Sequence, residues 1–210
     1  RQRLASAIAE DPGVGHALRV VRLAGSGTPD RVLDRVLGET LNHLLLRGLV
    51  REEREGLVIE SPELKAAIDA QAGQDDQARN IHETLAAAWQ EEEEDGPSAQ
   101  ARAGLHLCLA GRAVEGLPML RMALRSLAGT MRPGALDRLA GRIMAFATEV
   151  EGTGSPTWTD AAMARSEALW ALGLLSEALA LDELIAEQVG DPSQAVQAAC
   201  LHAGHLGPTT

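Results

Sequence analysis

The strongest constraint on this chain is a spacing. Ala113, Leu117, Leu120, Leu124 and Leu127 recur at intervals of 4, 3, 4 and 3, and Leu136, Leu139, Ile143, Phe146 and Val150 at 3, 4, 3 and 4. Residues so spaced share one face of an α-helix, and no strand has that period. The pattern returns with small residues at Ala161, Ala164, Ala168 and Ala171, then with Leu174, Ala178, Leu181 and Ile185. Ala101, Leu105 and Cys108 share another face, and Ala78, Ile81, Leu85 and Ala88 one more. Three Trp, one Phe and no Tyr leave a core of Leu, Ala and Val. Such a core suits helix-on-helix packing better than a sheet. The expected fold class is therefore mainly α.

The first third is built differently. A short helix is expected within "RQRLASAIAE", ending at an Asp11-Pro12-Gly13 turn, and a second over His16 to Ala24 with Val14, Leu18 and Val21 aligned. Thr28 is placed to cap a third helix, with Pro29 at its first position and Asp30 in its first turn. "ETLNHLLLRG" follows as a fourth. Leu49-Val50 and Leu57-Val58-Ile59, on either side of a Gly-containing charged turn, carry a hairpin signature. Ser61 then caps a helix with Pro62 at N1 and Leu64, Ala67 and Ile68 on one side. Three helices, a two-stranded wing and a helix are the order of a winged-helix domain. The expected organisation is a winged-helix-like subdomain at 1–72 and helical hairpins over 76–210. The hairpins would form an α-solenoid, with a last helix running from Asp191 toward His205.

"LCLAGRAVEGLPML" can be laid on "LWALGLLSEALALD", with Gly111 over Gly173 and Glu115 over Glu177 at an offset of 62 residues. That is near twice the ~34-residue period of a helical-hairpin repeat. Gly111, Gly173 and Ala178 are read as small residues that let helices cross closely.

Two longer stretches resemble a known family. "LLLRGLVREEREGLVIESPELKAAI", followed by "ARNIHETLAAAW", resembles the winged-helix segment behind the nucleotide-binding domain of STAND-type signal-transduction ATPases. Arg47, Gly48 and Leu49 match the turn after a helix. Ser61-Pro62 matches a helix start, without the His that follows the Ser in the family, and Ile81-His82 matches a paired position. "ARAGLHLCLAGRAVEGLPMLRMAL" and "ARSEALWALGLLSEALALDELIAEQVGDPSQA" resemble the tetratricopeptide-type (TPR) repeats of the same proteins. The resemblance implies a piece of a larger bacterial signalling protein, either such an ATPase or a multidomain serine/threonine kinase. It implies a regulatory, non-catalytic role. The implied partners are a protein or peptide on the helical-repeat surface and the nucleotide-binding domain of the same chain.

The phosphate-binding loop needs a Lys after a Gly-rich turn, and the only Lys, Lys65, lies in "PELKAA". No His-Arg-Asp or Asp-Phe-Gly kinase element is present. Gly25 and Gly27 before Thr28 read as a helix-capping loop. Cys200, His202 and His205 supply fewer than the four ligands of a structural zinc site, and His106 and Cys108 point to different helix faces. Neither Cys has a positioned base. Glu91 to Asp95 read as a solvated break. No catalytic residue, cofactor or metal site is expected. Trp158 and Trp170 are the candidate protein-interaction residues, because Trp anchors interfaces; packing between helices is the competing reading.

Charge bears on partners. Net charge is −11; residues 1–71 carry 10 basic and 11 acidic side chains, residues 72–210 carry 9 and 19. Phosphate backbones need a positive footprint, so nucleic acid is disfavoured. In the helix that would enter a groove, the stretch from Leu41 to Arg47 is Leu-rich, with only Asn42, His43 and Arg47 polar. A DNA-binding regulator with a helical sensor domain remains the alternative reading. Two distant Cys and no long apolar run point to a cytoplasmic protein with no membrane span.

Overall fold

The computed structural model describes residues 11–188 apart from 26, 54–55, 71–74 and 93–95. The helix expected in residues 1–10, the one expected from Asp191, and the hairpin turn at Arg54 and Glu55 lie outside these residues. Among the described residues there are ten α-helices and one two-stranded sheet, so the chain is mainly α. They fall into two compact units, drawn from 1–94 with Leu109–Gly111, and from 95–108 with 112–210.

In the first unit the order is α1 (Pro12–Ala24), α2 (Asp30–Leu37), α3 (Glu39–Leu46), β1 (Val50–Glu53), β2 (Gly56–Ile59), α4 (Pro62–Ala70) and α5 (Asp75–Gln90). α1 begins four residues earlier than its apolar spacing suggests. Asp11 does not close a turn but caps the helix, accepting from the amides of Gly13 at 3.1 Å and Val14 at 3.3 Å. Pro12 follows at the first helical position, where a missing N–H costs nothing. α1 is the hub of the unit: it packs against α2, α3, β2, α4 and α5. Val14, Ala17, Leu18, Val20, Val21 and Ala24 are all buried. At its exposed edge Arg22 grips Asp69 of α4 through two hydrogen bonds, of 3.0 and 3.2 Å.

Thr28 does not cap α2. Its hydroxyl, buried to 1 % exposure, donates to the Ala24 carbonyl at 2.9 Å and so closes the end of α1. Pro29 occupies the cap position instead, and its carbonyl accepts from Val32 and Leu33. The hairpin forms as its sequence indicates, antiparallel, with Val50 opposite Ile59 and Glu52 opposite Leu57. Leu57 and Ile59 face the core, while Arg51, Glu52 and Glu53 face solvent. Ser61 caps α4, accepting from the Leu64 amide at 3.2 Å and donating to Glu63 at 2.7 Å. That donated bond, above all, holds the Glu63 carboxyl below its ordinary range.

α5 contributes Ile81 and Leu85 to this same core. The linker expected at 73–75 is therefore not the edge of the compact unit, which includes α5. The acidic run that closes α5 is also more than a solvated break. Glu92 is 7 % exposed and paired with Arg31 at 2.8 Å and Arg35 at 3.7 Å. Arg35 also donates to the Ala88 carbonyl at 3.0 Å, so α2 supplies cations to the C-terminal end of α5, where the helix dipole favours them.

The second unit holds α6 (Gly96–Leu109), α7 (Ala113–Leu127), α8 (Pro133–Val150), α9 (Pro156–Ala171) and α10 (Leu175–Gln188). α9 is its centre and packs on α7, α8 and α10. Its buried residues, Thr157 through Thr159, Ala161 through Ala164, Ser166, Ala168 and Leu169, go almost all the way round, as expected of a helix enclosed by others. The alanines explain how three neighbours fit. Asp137 near the start of α8 pairs with Arg165 toward the end of α9 at 2.9 Å, so these two run antiparallel. Leu117, Leu120, Leu124 and Ile143 are fully buried, each stabilising the unit by about 1.5–3 kcal/mol relative to exposure.

The close crossing expected at Gly111 and Gly173 occurs elsewhere. Both adopt φ near +80° (80° and 76°), so they serve as left-handed turns between helices. Backbones meet instead where α6 crosses α7. A Cβ on Gly116 would lie 2.5 Å from the Gly104 carbonyl and 2.7 Å from the Cys108 sulfur.

Candidate functional site

Among the described residues no group of three or more His, Cys, Asp or Glu is placed to hold a metal. Cys200, His202 and His205 lie outside them. Cys108 is buried, and desolvation pushes its thiol up to about 11, which suppresses the thiolate a nucleophile needs. Gly25 and Gly27 both take positive φ in the turn between α1 and α2, the geometry of a connecting loop.

The two tryptophans are placed in different settings. Trp158 is 2 % exposed and belongs to the core of the second unit, so its ring packs between helices. Its position follows from the α9 start, where Ser155 accepts from the Trp158 amide at 3.2 Å. Trp170 is half-buried, and its indole N–H donates to Asp182 of α10 at 3.3 Å. Ser166 donates to the other oxygen of the same buried carboxylate. These donors let an acid sit at 8 % exposure, and together they fasten α10 to α9.

A concave surface is found one helix away, between α7 and α9. Leu124, Arg125 and Ala128 line one side, and Asp160, Met163, Ala164 and Glu167 the other, around about 260 Å³. Its floor is apolar, since Leu124, Met163 and Ala164 are buried beneath it. Its head is charged. Arg121 and Arg125, one turn apart on α7, converge on one oxygen of Asp160, at 2.5 Å from the Arg121 Nε and 2.8 Å from the Arg125 Nη2. Two guanidinium groups against one carboxylate leave a positive charge in excess. Arg125 is 61 % exposed at its side chain, so this charge is presented to solvent. Glu167, exposed one turn further along α9 than Met163, gives the other end of the groove a negative charge. Sequence reasoning missed this site. The i,i+4 spacing of Arg121 and Arg125 placed them on one face, but nothing local tied them to Asp160.

Beside the hairpin, Leu45, Gly48, Val50, Arg51, Glu52 and Glu60 line a shallower hollow. Arg51 there is held by Glu53 at 2.6 Å and Glu60 at 3.6 Å, so its charge is already paired with acids. Leu46 at the end of α3 stands 86 % exposed beside the polar Asn42 and His43.

Compared with known proteins, the chain matches no family model, no curated protein and no solved structure. Among the described residues no helix is long and apolar enough to cross a membrane.

Proposed function

We propose that this chain is a non-catalytic regulatory and protein-interaction region of a larger bacterial signalling protein, a STAND-type ATPase or a multidomain serine/threonine kinase. The first unit is a winged-helix-like element that packs on a nucleotide-binding domain of the same chain. The second is a short array of degenerate TPR-like hairpins that receives a protein signal, in the cytoplasm. The observation that carries this reading is the order of elements: helices, a two-stranded hairpin, a Ser-Pro-capped helix, then stacked helices around a groove sized for side chains. Drug-sized ligands occupy about 300–1,000 Å³, so a groove of about 260 Å³ suits the side chains of a peptide better than a cofactor.

Reading the gene on both sides of this segment tests the assignment. A nucleotide-binding domain with a Gly-rich, Lys-containing phosphate loop is expected upstream of Arg1, alone or behind a kinase domain. A frame with neither overturns it.

A further inference from the structure

We infer that the groove between α7 and α9 receives a partner segment in which an Asp or Glu neighbours one or two bulky apolar side chains. This inference rests on the protein-interaction reading and adds the chemistry of the partner. The acidic side chain meets the Arg121–Asp160–Arg125 cluster. Both guanidinium groups reach a single oxygen of Asp160, and each has N–H donors beyond those contacts for a second carboxylate. That carboxylate removes the excess positive charge left by two arginines facing one acid, and charge-assisted hydrogen bonds to Arg are the stronger class. The apolar side chains enter the space over Leu124, Ala128, Met163 and Ala164, of about 260 Å³.

Polarity sets the direction. Arg121 and Arg125 meet Asp160 near the start of α9, and Glu167 lies about two turns further along the same helix. The cationic head therefore lies toward Asp160 and the anionic end toward Glu167. A segment with an acid at one end and a cation at the other is complementary in one orientation and repelled in the other.

The test uses the full 210-residue chain and a phage-displayed library of random peptides. The expected result is a shared motif of Asp or Glu beside Leu, Met or Phe. Affinity for the selected peptide should fall about tenfold in Arg125→Glu, whose circular dichroism should match the parent because Arg125 is a surface residue. Restored binding to that variant by a peptide with Lys in place of its acid would place the acid at Arg125. Selected peptides whose binding ignores Arg125→Glu would overturn the site while leaving a protein-interaction role elsewhere on the chain. Motifs without an acid would overturn the partner chemistry. A concentration-dependent dimer abolished by Arg125→Glu would overturn it in favour of a second copy of this chain. A library that yields no binder would count against both the site and the protein-interaction reading.

Discussion

Gly116 and Gly141 are both helical glycines, yet they are predicted to respond in opposite directions to one methyl group. At Gly116 a Cβ would sit inside contact distance of the Gly104 carbonyl and the Cys108 sulfur, and backbone has no room to yield. Gly116→Ala should lower stability by about 1–3 kcal/mol. At Gly141 the nearest atoms, on the Arg165 side chain, are 3.6 Å or more away. Gly141→Ala should therefore raise stability by about 0.5–1 kcal/mol through reduced chain entropy. Urea denaturation of the two variants separates these outcomes. Cys108 adds a pH dependence at the same scale. Its folded thiol is raised to about 11 from an ordinary 9.0, mainly by desolvation. A raised folded value means the contribution is fully present below pH 9.0 and is lost as pH rises toward about 11. In a Cys200→Ser background, urea midpoints should fall over that window, and Cys108→Ala should flatten the decline.

The elements show what local sequence can and cannot encode. Helical spacing located α7 and α8 well, because each buries one continuous stripe: Leu117, Leu120 and Leu124, for example, or Leu136, Leu139 and Ile143. The spacing misleads at the ends. Leu174, aligned with Ala178 and Leu181 on paper, is 42 % exposed, and Val150 is 44 % exposed. The hairpin and the Ser61 cap were legible because their partners lie close in sequence, from Val50 to Ile59 and from Ser61 to Leu64. The candidate groove was not, since its head joins residues 35 to 39 positions apart. The same holds for Glu92 with Arg31 and for Asp182 with Ser166. Distant polar pairs leave no periodic trace. Of these, the Asp182 cluster joins α10 to α9. Asp182→Ala would strip the Trp170 and Ser166 donors of a common buried acceptor, and should destabilise the chain by about 1–3 kcal/mol. Trp170 fluorescence should shift to longer wavelength as α10 loosens. Unchanged emission and an unchanged melting temperature would show that α10 is held by Ala178, Leu181 and Ile185 alone.

At the scale of the whole molecule, charge and chemistry point the same way. The hairpin's Arg51 is paired with acids, α3 presents an exposed leucine where a DNA reader needs polar side chains, and most of the excess acid lies beyond residue 71. A labelled DNA duplex at low salt should therefore show no binding by fluorescence anisotropy. The more direct test of the proposed role is ATP turnover by the larger ATPase that the proposal places around this segment, compared with the 210-residue chain alone and with the larger protein lacking these residues. The isolated chain is predicted to turn over no ATP, and removing it is predicted to change the larger protein's rate severalfold, as a regulatory segment should. Turnover by the isolated chain, or a larger protein whose rate is indifferent to its removal, would contradict the account.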